Sequence, residues 1–134
     1  MVANILVVDD EPDIVDLVVK RLVRQGHRIS AADSGSTALA LVHRHGVPDA
    51  AILDVDMPGM DGFDLLAALR TLRPHLPALF LTVLWRADVH ARVRAAGGVH
   101  VGKPFTATEL ATGVQRLLAP DAVRRSDAVR RGDP

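Results

Sequence analysis

The apolar positions along this chain fall into two alternating patterns. Ile5–Val8, Ala50–Leu53, Ala78–Leu81 and Val99–Val101 are short continuous apolar runs, and His27–Ala32 is a weaker one. Runs of this length without in-out alternation mark strands buried on both faces. Between them the apolar residues recur at helical spacing. Ile14, Val15, Val18, Val19, Leu22 and Val23 form one stripe, with Pro12 in the first turn and Gly26 as the C-cap. A second stripe, Ala38, Leu39, Leu41 and Val42, follows a cap at Ser34 or Ser36 and ends near Gly46. Phe63–Leu72 and Asp88–Ala96 read as two more helices. The last is Thr106–Leu118, with Thr106 as N-cap and Glu109 at the capping-box position. The segment DVDMPGMDG is a loop, and its Asp61-Gly62 reads as a turn.

Five strand–helix units in strict alternation predict an α/β fold, a doubly wound five-stranded parallel sheet with helices on both faces. Right-handed crossovers leave few topologies, and the ligand site of such a sheet lies at the carboxyl ends of its strands, beside the switch point in strand order. The pattern covers residues 1–119 as one domain. Residues 120–134, PDAVRRSDAVRRGDP, repeat DAVRR and carry too few apolar side chains for a core, so they read as a mobile tail or the start of a linker.

Composition narrows the function classes. The chain has 134 residues, 49% hydrophobic and 24% charged, with formal net charge zero. That is a globular composition, without the basic excess of a nucleic-acid binder. There is no cysteine, which excludes disulfides, thiolate chemistry and Cys-ligated zinc. No apolar stretch approaches the ~20 residues of a membrane span, and the N-terminus lacks a basic leader. These features predict a cytoplasmic protein with no membrane partner.

The polar residues that end the strands carry the chemistry. The first strand stops at Asp9-Asp10, the third at Asp54, the fourth at Thr82 and the fifth before Lys103. A parallel sheet gathers these ends on one edge. Three carboxylates at close range repel, and a hard divalent cation relieves them. Mg²⁺, with its preference for oxygen ligands, fits best, and Mn²⁺ is a substitute. Asp10 and Asp54 can ligate it, with Asp9 direct or through water. The Thr82 hydroxyl and the Lys103 ammonium opposite such a metal make a clamp for a phosphoryl group. Lys103 is one of two lysines against fourteen arginines, so a compact point charge has been kept here.

VVDDEPD, AAILDVDMPGMDG, LFLT and VGKPF, in this order and spacing, resemble the receiver domain of bacterial two-component response regulators. The resemblance covers about residues 3–119. It implies the flavodoxin-like strand order 2-1-3-4-5. It also implies that Asp54 is the phosphoacceptor, taking a phosphoryl group from the phosphohistidine of a sensor histidine kinase or phosphotransfer protein. Asp9 and Asp10 would hold Mg²⁺ with the Asp56 backbone carbonyl. Lys103, aimed by a cis Pro104, would pair with the phosphoryl oxygens, and Thr82 would bond one of them once Asp54 is modified. Partner binding would change through the face of helix 4, strand 5 and helix 5. A homodimer and a downstream effector are further implied partners. The domain itself would not touch nucleic acid, and it would turn over no substrate beyond its own acyl phosphate.

The sequence departs from the family pattern at several places. His100 stands where an aromatic switch residue is common and would be a smaller, pH-sensitive one; the alternative is an exposed strand-end histidine without coupling. Val83 replaces a small residue and would slow dephosphorylation by its bulk. Leu84 and Trp85 offer an apolar patch to a partner or fold back on the following helix. The stretch AGGVH is one residue tighter than the common pattern. The five other histidines, at 27, 43, 45, 75 and 90, are expected at the surface.

Two other functions fit parts of the sequence. A pseudo-receiver would bind partners without phosphorylation, against which the complete set Asp9, Asp10, Asp54, Thr82 and Lys103 speaks. Asp54-Val55-Asp56 also matches the D-x-D nucleophile of haloacid-dehalogenase-type phosphatases, but Met57-Pro58 follow where Thr or Val is usual.

Overall fold

A computed structural model describes residues 2–83 and 86–119. The predicted tail and the Leu84-Trp85 patch lie outside the described residues. The elements run β1 (Asn4–Val8), α1 (Pro12–Arg24), β2 (Arg28–Ala32), α2 (Gly35–His45), β3 (Ala50–Asp54), α3 (Gly62–Leu72), β4 (Ala78–Thr82), α4 (Ala87–Ala95), β5 (Val99–Gly102) and α5 (Ala107–Leu118). All four strand pairs are parallel, in the order β2-β1-β3-β4-β5. The expected doubly wound fold is therefore the one present, and its boundaries fall within about two residues of the sequence pattern.

Strand alternation divides the core in two. Ile5, Val7, Ala50, Ile52, Leu79, Leu81 and Val101 face α1 and α5, where Val18, Leu22, Leu110, Val114 and Leu117 meet them. Leu6, Val8, Ala51, Leu53, Ala78 and Phe80 face the other way, toward α2, α3 and α4. Every residue of β3 and β4 is buried, which is why these strands read as unbroken apolar runs. The edge strands β2 and β5 are only half covered, and their sequences are correspondingly mixed.

Helix ends follow local chemistry with two corrections: Gln25, not Gly26, is the C-cap of α1, with Gly26 following it at φ 89°, and Asp61 caps α3. Ser34, not Ser36, caps α2, its Oγ accepting from the Thr37 N–H at 3.2 Å. Thr106 and Glu109 form the expected capping box. Asp61 is not a simple turn residue. Its carboxylate accepts from the Asp64 N–H at 2.8 Å while the Asp64 carboxylate accepts from the Asp61 N–H at 3.3 Å, a second capping box that starts α3. The next residue, Gly62, packs its backbone against the Asp54 carbonyl so closely that any Cβ would collide with it. The loop after β3 is thereby folded flat against the strand end. Gly98 has a similar role before β5, where a Cβ would stand 2.7 Å from the Phe80 ring.

Three histidines correct the surface expectation, His75 being half-buried in the loop before β4. His27 is half-buried and its Nδ1 accepts from the Ala3 N–H at 3.1 Å. His90, on α4, is half-buried with its ring centroid 5.2 Å from that of His100.

Candidate functional site

The chain reverses direction across the sheet between β1 and β3, and the residues that leave these two strands stand side by side. Asp9 follows β1 and is fully buried; Asp54 ends β3 at 3% exposure. Asp10 is exposed at the rim. One carboxylate oxygen from each of the three lies within 4.8 Å of the others.

Lys103 reaches this cluster from the end of β5. Its backbone N–H donates to the Thr82 carbonyl at 2.8 Å, which fixes the departure of the chain beside β4. The peptide bond to Pro104 is cis, as the resemblance implies. The ammonium stands 2.8 Å from Asp9 Oδ2, 3.3 Å from Glu11 Oε1 and 3.4 Å from Asp54 Oδ1. It is enclosed, with 6% of its side chain exposed.

These charges shift one another. Burial, then the Asp9 charge, raises the Asp54 pKa to about 7, although Lys103 and the Asp56 N–H pull the other way. For Lys103, burial alone lowers the pKa, but the close contact with Asp9 and the charges of Asp54 and Asp9 outweigh it, and the net shift is upward. One ammonium does not balance four neighbouring carboxylates. Asp9 Oδ2 has the Lys103 ion pair but no hydrogen bond of good geometry. An all-oxygen donor set with uncompensated negative charge at a partly open rim fits a hard divalent cation such as Mg²⁺.

Thr82 is buried at the end of β4, in register with Gly102. Asp56 is exposed, and its N–H donates to Asp54 Oδ1 at 3.3 Å. Val83 is 57% exposed beside Thr82. His100 is not part of the acidic cluster. It pairs in register with Phe80 and packs on His90; burial, then the His90 charge, lowers its pKa. It is half-buried rather than exposed. Sequence reasoning missed Glu11. Its signal was the unbroken acidic string Asp9-Asp10-Glu11, but nothing local showed that its side chain would turn toward Lys103, 92 residues away.

Comparison with known proteins gives a uniform result. Residues 5–115 match the family model described as the response regulator receiver domain. A probable transcriptional regulatory protein, TcrX of Mycobacterium tuberculosis, is 38% identical over 126 residues, spanning 93% of this chain and 53% of its own length. An uncharacterized 14.6 kDa protein of Leptolyngbya boryana is 38% identical over 125 residues, spanning 89% of this chain and 95% of its own. The chain thus spans about half the length of the first curated relatives and nearly all of a short one. Among solved structures, the Vibrio cholerae chemotaxis protein CheY4 superimposes with a TM-score of 0.79 at 31% identity, covering 88% of this chain and 100% of that one.

Proposed function

The chain belongs to the response regulator receiver domain family, and from that premise we propose that it is a phosphoacceptor switch in which Asp54 takes a phosphoryl group from a phosphohistidine. The donor is a sensor histidine kinase or a phosphotransfer protein in the cytoplasm. One observation carries the reading: a buried carboxylate, Asp54, sits 3.4 Å from an enclosed ammonium, Lys103, with Asp9 and Asp10 in reach of the same point.

The residues divide the work. The Asp54 carboxylate attacks phosphorus; the bond to the donor imidazole breaks and its electron pair returns to that ring. Asp54 must be ionised to attack, and Lys103 favours that form. As charge moves onto the phosphoryl oxygens, the ammonium follows it away from Asp54. The Thr82 hydroxyl stands at the adjacent strand end to bond one of these oxygens, which couples modification to the loop after β4. A cation held by Asp9, Asp10, Asp54 and the Asp56 carbonyl would supply the remaining positive charge. Phosphoryl transfer asks chiefly for such positioning and charge stabilisation. On this reading the domain is a switch that carries one acyl phosphate per chain rather than an enzyme that turns over a separate substrate.

The test is intact mass after incubation with acetyl phosphate, with and without Mg²⁺, on the wild type and Asp54→Asn. One added phosphoryl group, dependent on Mg²⁺ and lost in the variant, is expected. No addition to the wild type, from acetyl phosphate or from a phosphorylated kinase, sinks the reading and leaves phosphorylation-independent partner binding in its place.

A further inference from the structure

Glu11 breaks a local rule. It occupies the N-cap of α1 in extended conformation, φ −96° and ψ 110°, yet its side chain makes no capping hydrogen bond. Ser34, Asp61 and Thr106 cap their helices with their side chains, whereas Arg86 at the start of α4, like Glu11, does not. Glutamate is outside the residue types favoured at this position. Its carboxylate instead lies 3.3 Å from the Lys103 ammonium, and its own N–H donates to Asp9 Oδ1 at 2.9 Å. The side chain is largely exposed, whereas that of Lys103 is enclosed. A local preference given up at a functional site indicates a competing use for the residue.

We propose that Glu11 is a positioning residue that holds the Lys103 ammonium toward the rim and so slows the loading of Asp54. The inference rests on the phosphoacceptor reading above. An ammonium has three N–H donors, and here it donates to Glu11 while standing 2.8 Å from Asp9 and 3.4 Å from Asp54. When a phosphoryl group arrives, Lys103 must exchange one of these anions for a phosphoryl oxygen. Asp9 is buried and fixed; Glu11 is mobile by its length and its exposure. Glu11 therefore competes with the incoming oxygens for the same proton donor, and its charge also opposes an anionic donor at the mouth of the site. In the transfer itself the Asp54 oxygen bonds to phosphorus, the donor's bridging P–O bond breaks, and acetate leaves with the electron pair when acetyl phosphate is used. Glu11 forms no bond to the reacting atoms.

The experiment is the rate of acetyl phosphate loading, followed by intact mass at several Mg²⁺ concentrations and extrapolated to saturation. The proteins are wild type, Glu11→Gln and Asp13→Asn. Asp13 is a second acid in the first turn of α1 and reports any effect of net charge alone. Exposed ion pairs are weak, so Glu11→Gln is expected to load only roughly two- to fivefold faster than wild type, with Asp13→Asn unchanged. A thermal melt of each variant verifies the fold. Equal or slower loading by Glu11→Gln overturns the role of Glu11, as does an equal gain in Asp13→Asn, which would make the effect one of bulk charge. If the wild type gains no phosphoryl group from acetyl phosphate or from a phosphorylated kinase, the phosphoacceptor reading fails, and this inference fails with it.

Discussion

The two ends of the sheet are built on opposite terms. At the amino end, charges and backbone groups are matched. The Asn4 N–H donates to Asp49 Oδ2 at 2.8 Å, Arg73 Nη1 donates to the Pro48 carbonyl at 2.8 Å, and Arg70 donates twice to the Leu76 carbonyl, at 3.2 and 2.9 Å. His27 accepts from the Ala3 N–H there as well. At the carboxyl end, Asp9, Glu11 and Asp54 share the Lys103 ammonium, Asp10 stands in the same carboxylate cluster, and Asp9 and Asp54 are buried. One end stitches loops together. The other stores repulsion of the kind that a divalent cation can relieve. The proposed switch would draw on that asymmetry, because a ligand shifts a fold only by what it offers one state over the other.

The largest expected effect is therefore ligand-dependent. Mg²⁺ should raise the melting temperature of the wild type by mass action, about 2.7 kcal/mol at one hundred times its dissociation constant. Asp10→Asn should lose most of that gain while melting normally without metal, since Asp10 is exposed and its charge only adds to the repulsion. Calorimetric melts at graded Mg²⁺ measure both. A gain of equal size in Asp10→Asn would mean that the cation sits elsewhere.

Next in size is the pH dependence without metal. Asp54 has its pKa raised by burial, from 3.8 to about 7. The folded state then binds a proton that the unfolded chain has already released between those values. Stability should fall as pH rises from about 4 to about 7, and be flat for this group above that. Asp54→Asn removes the titration. Allowing for solvent screening at the partly open rim, it should stabilise the metal-free protein by about 2 kcal/mol at neutral pH and do nothing near pH 4. Denaturant melts across that range provide the check. A variant less stable than wild type at pH 7 would show that Lys103 compensates for the charge fully.

How much of this was legible in the sequence follows from how local each cause is. Buried strands announce themselves because both faces need apolar side chains, so β1, β3 and β4 were visible, and so were the acids that end two of them. Alternation gave a doubly wound sheet; the order 2-1-3-4-5 came from the resemblance, because crossover rules leave more than one order. The capping box at Asp61 was hidden because Asp64 stands where Glu or Gln is the usual signal. The burial of His27 and His90 depends on tertiary neighbours that no spacing along the chain reveals. Glu11 is the sharpest case. Its type and place were in view, but its partner is set by how β5 lies beside β4, and only the folded sheet supplies that.

The smallest expected effect tests the matched end. Arg73 follows α3, and its guanidinium reaches the Pro48 carbonyl at 2.8 Å and Asp49 Oδ1 at 3.4 Å, with 45% of its side chain exposed. Asp49 in turn accepts from the Asn4 N–H, so Arg73 braces the loop that leads into β3 against the start of β1. The contacts are real but wet, and Arg73→Ala should cost only about 1 kcal/mol. That loss should be the same from pH 5 to pH 8 and the same with or without Mg²⁺, because no member of this cluster carries a charge that the site needs. Melts of Arg73→Ala under those four conditions test the contrast directly. A loss that grew when Mg²⁺ was added would show the two ends to be coupled through β1 and β3, and the division between a stitched end and a strained end would have to be given up.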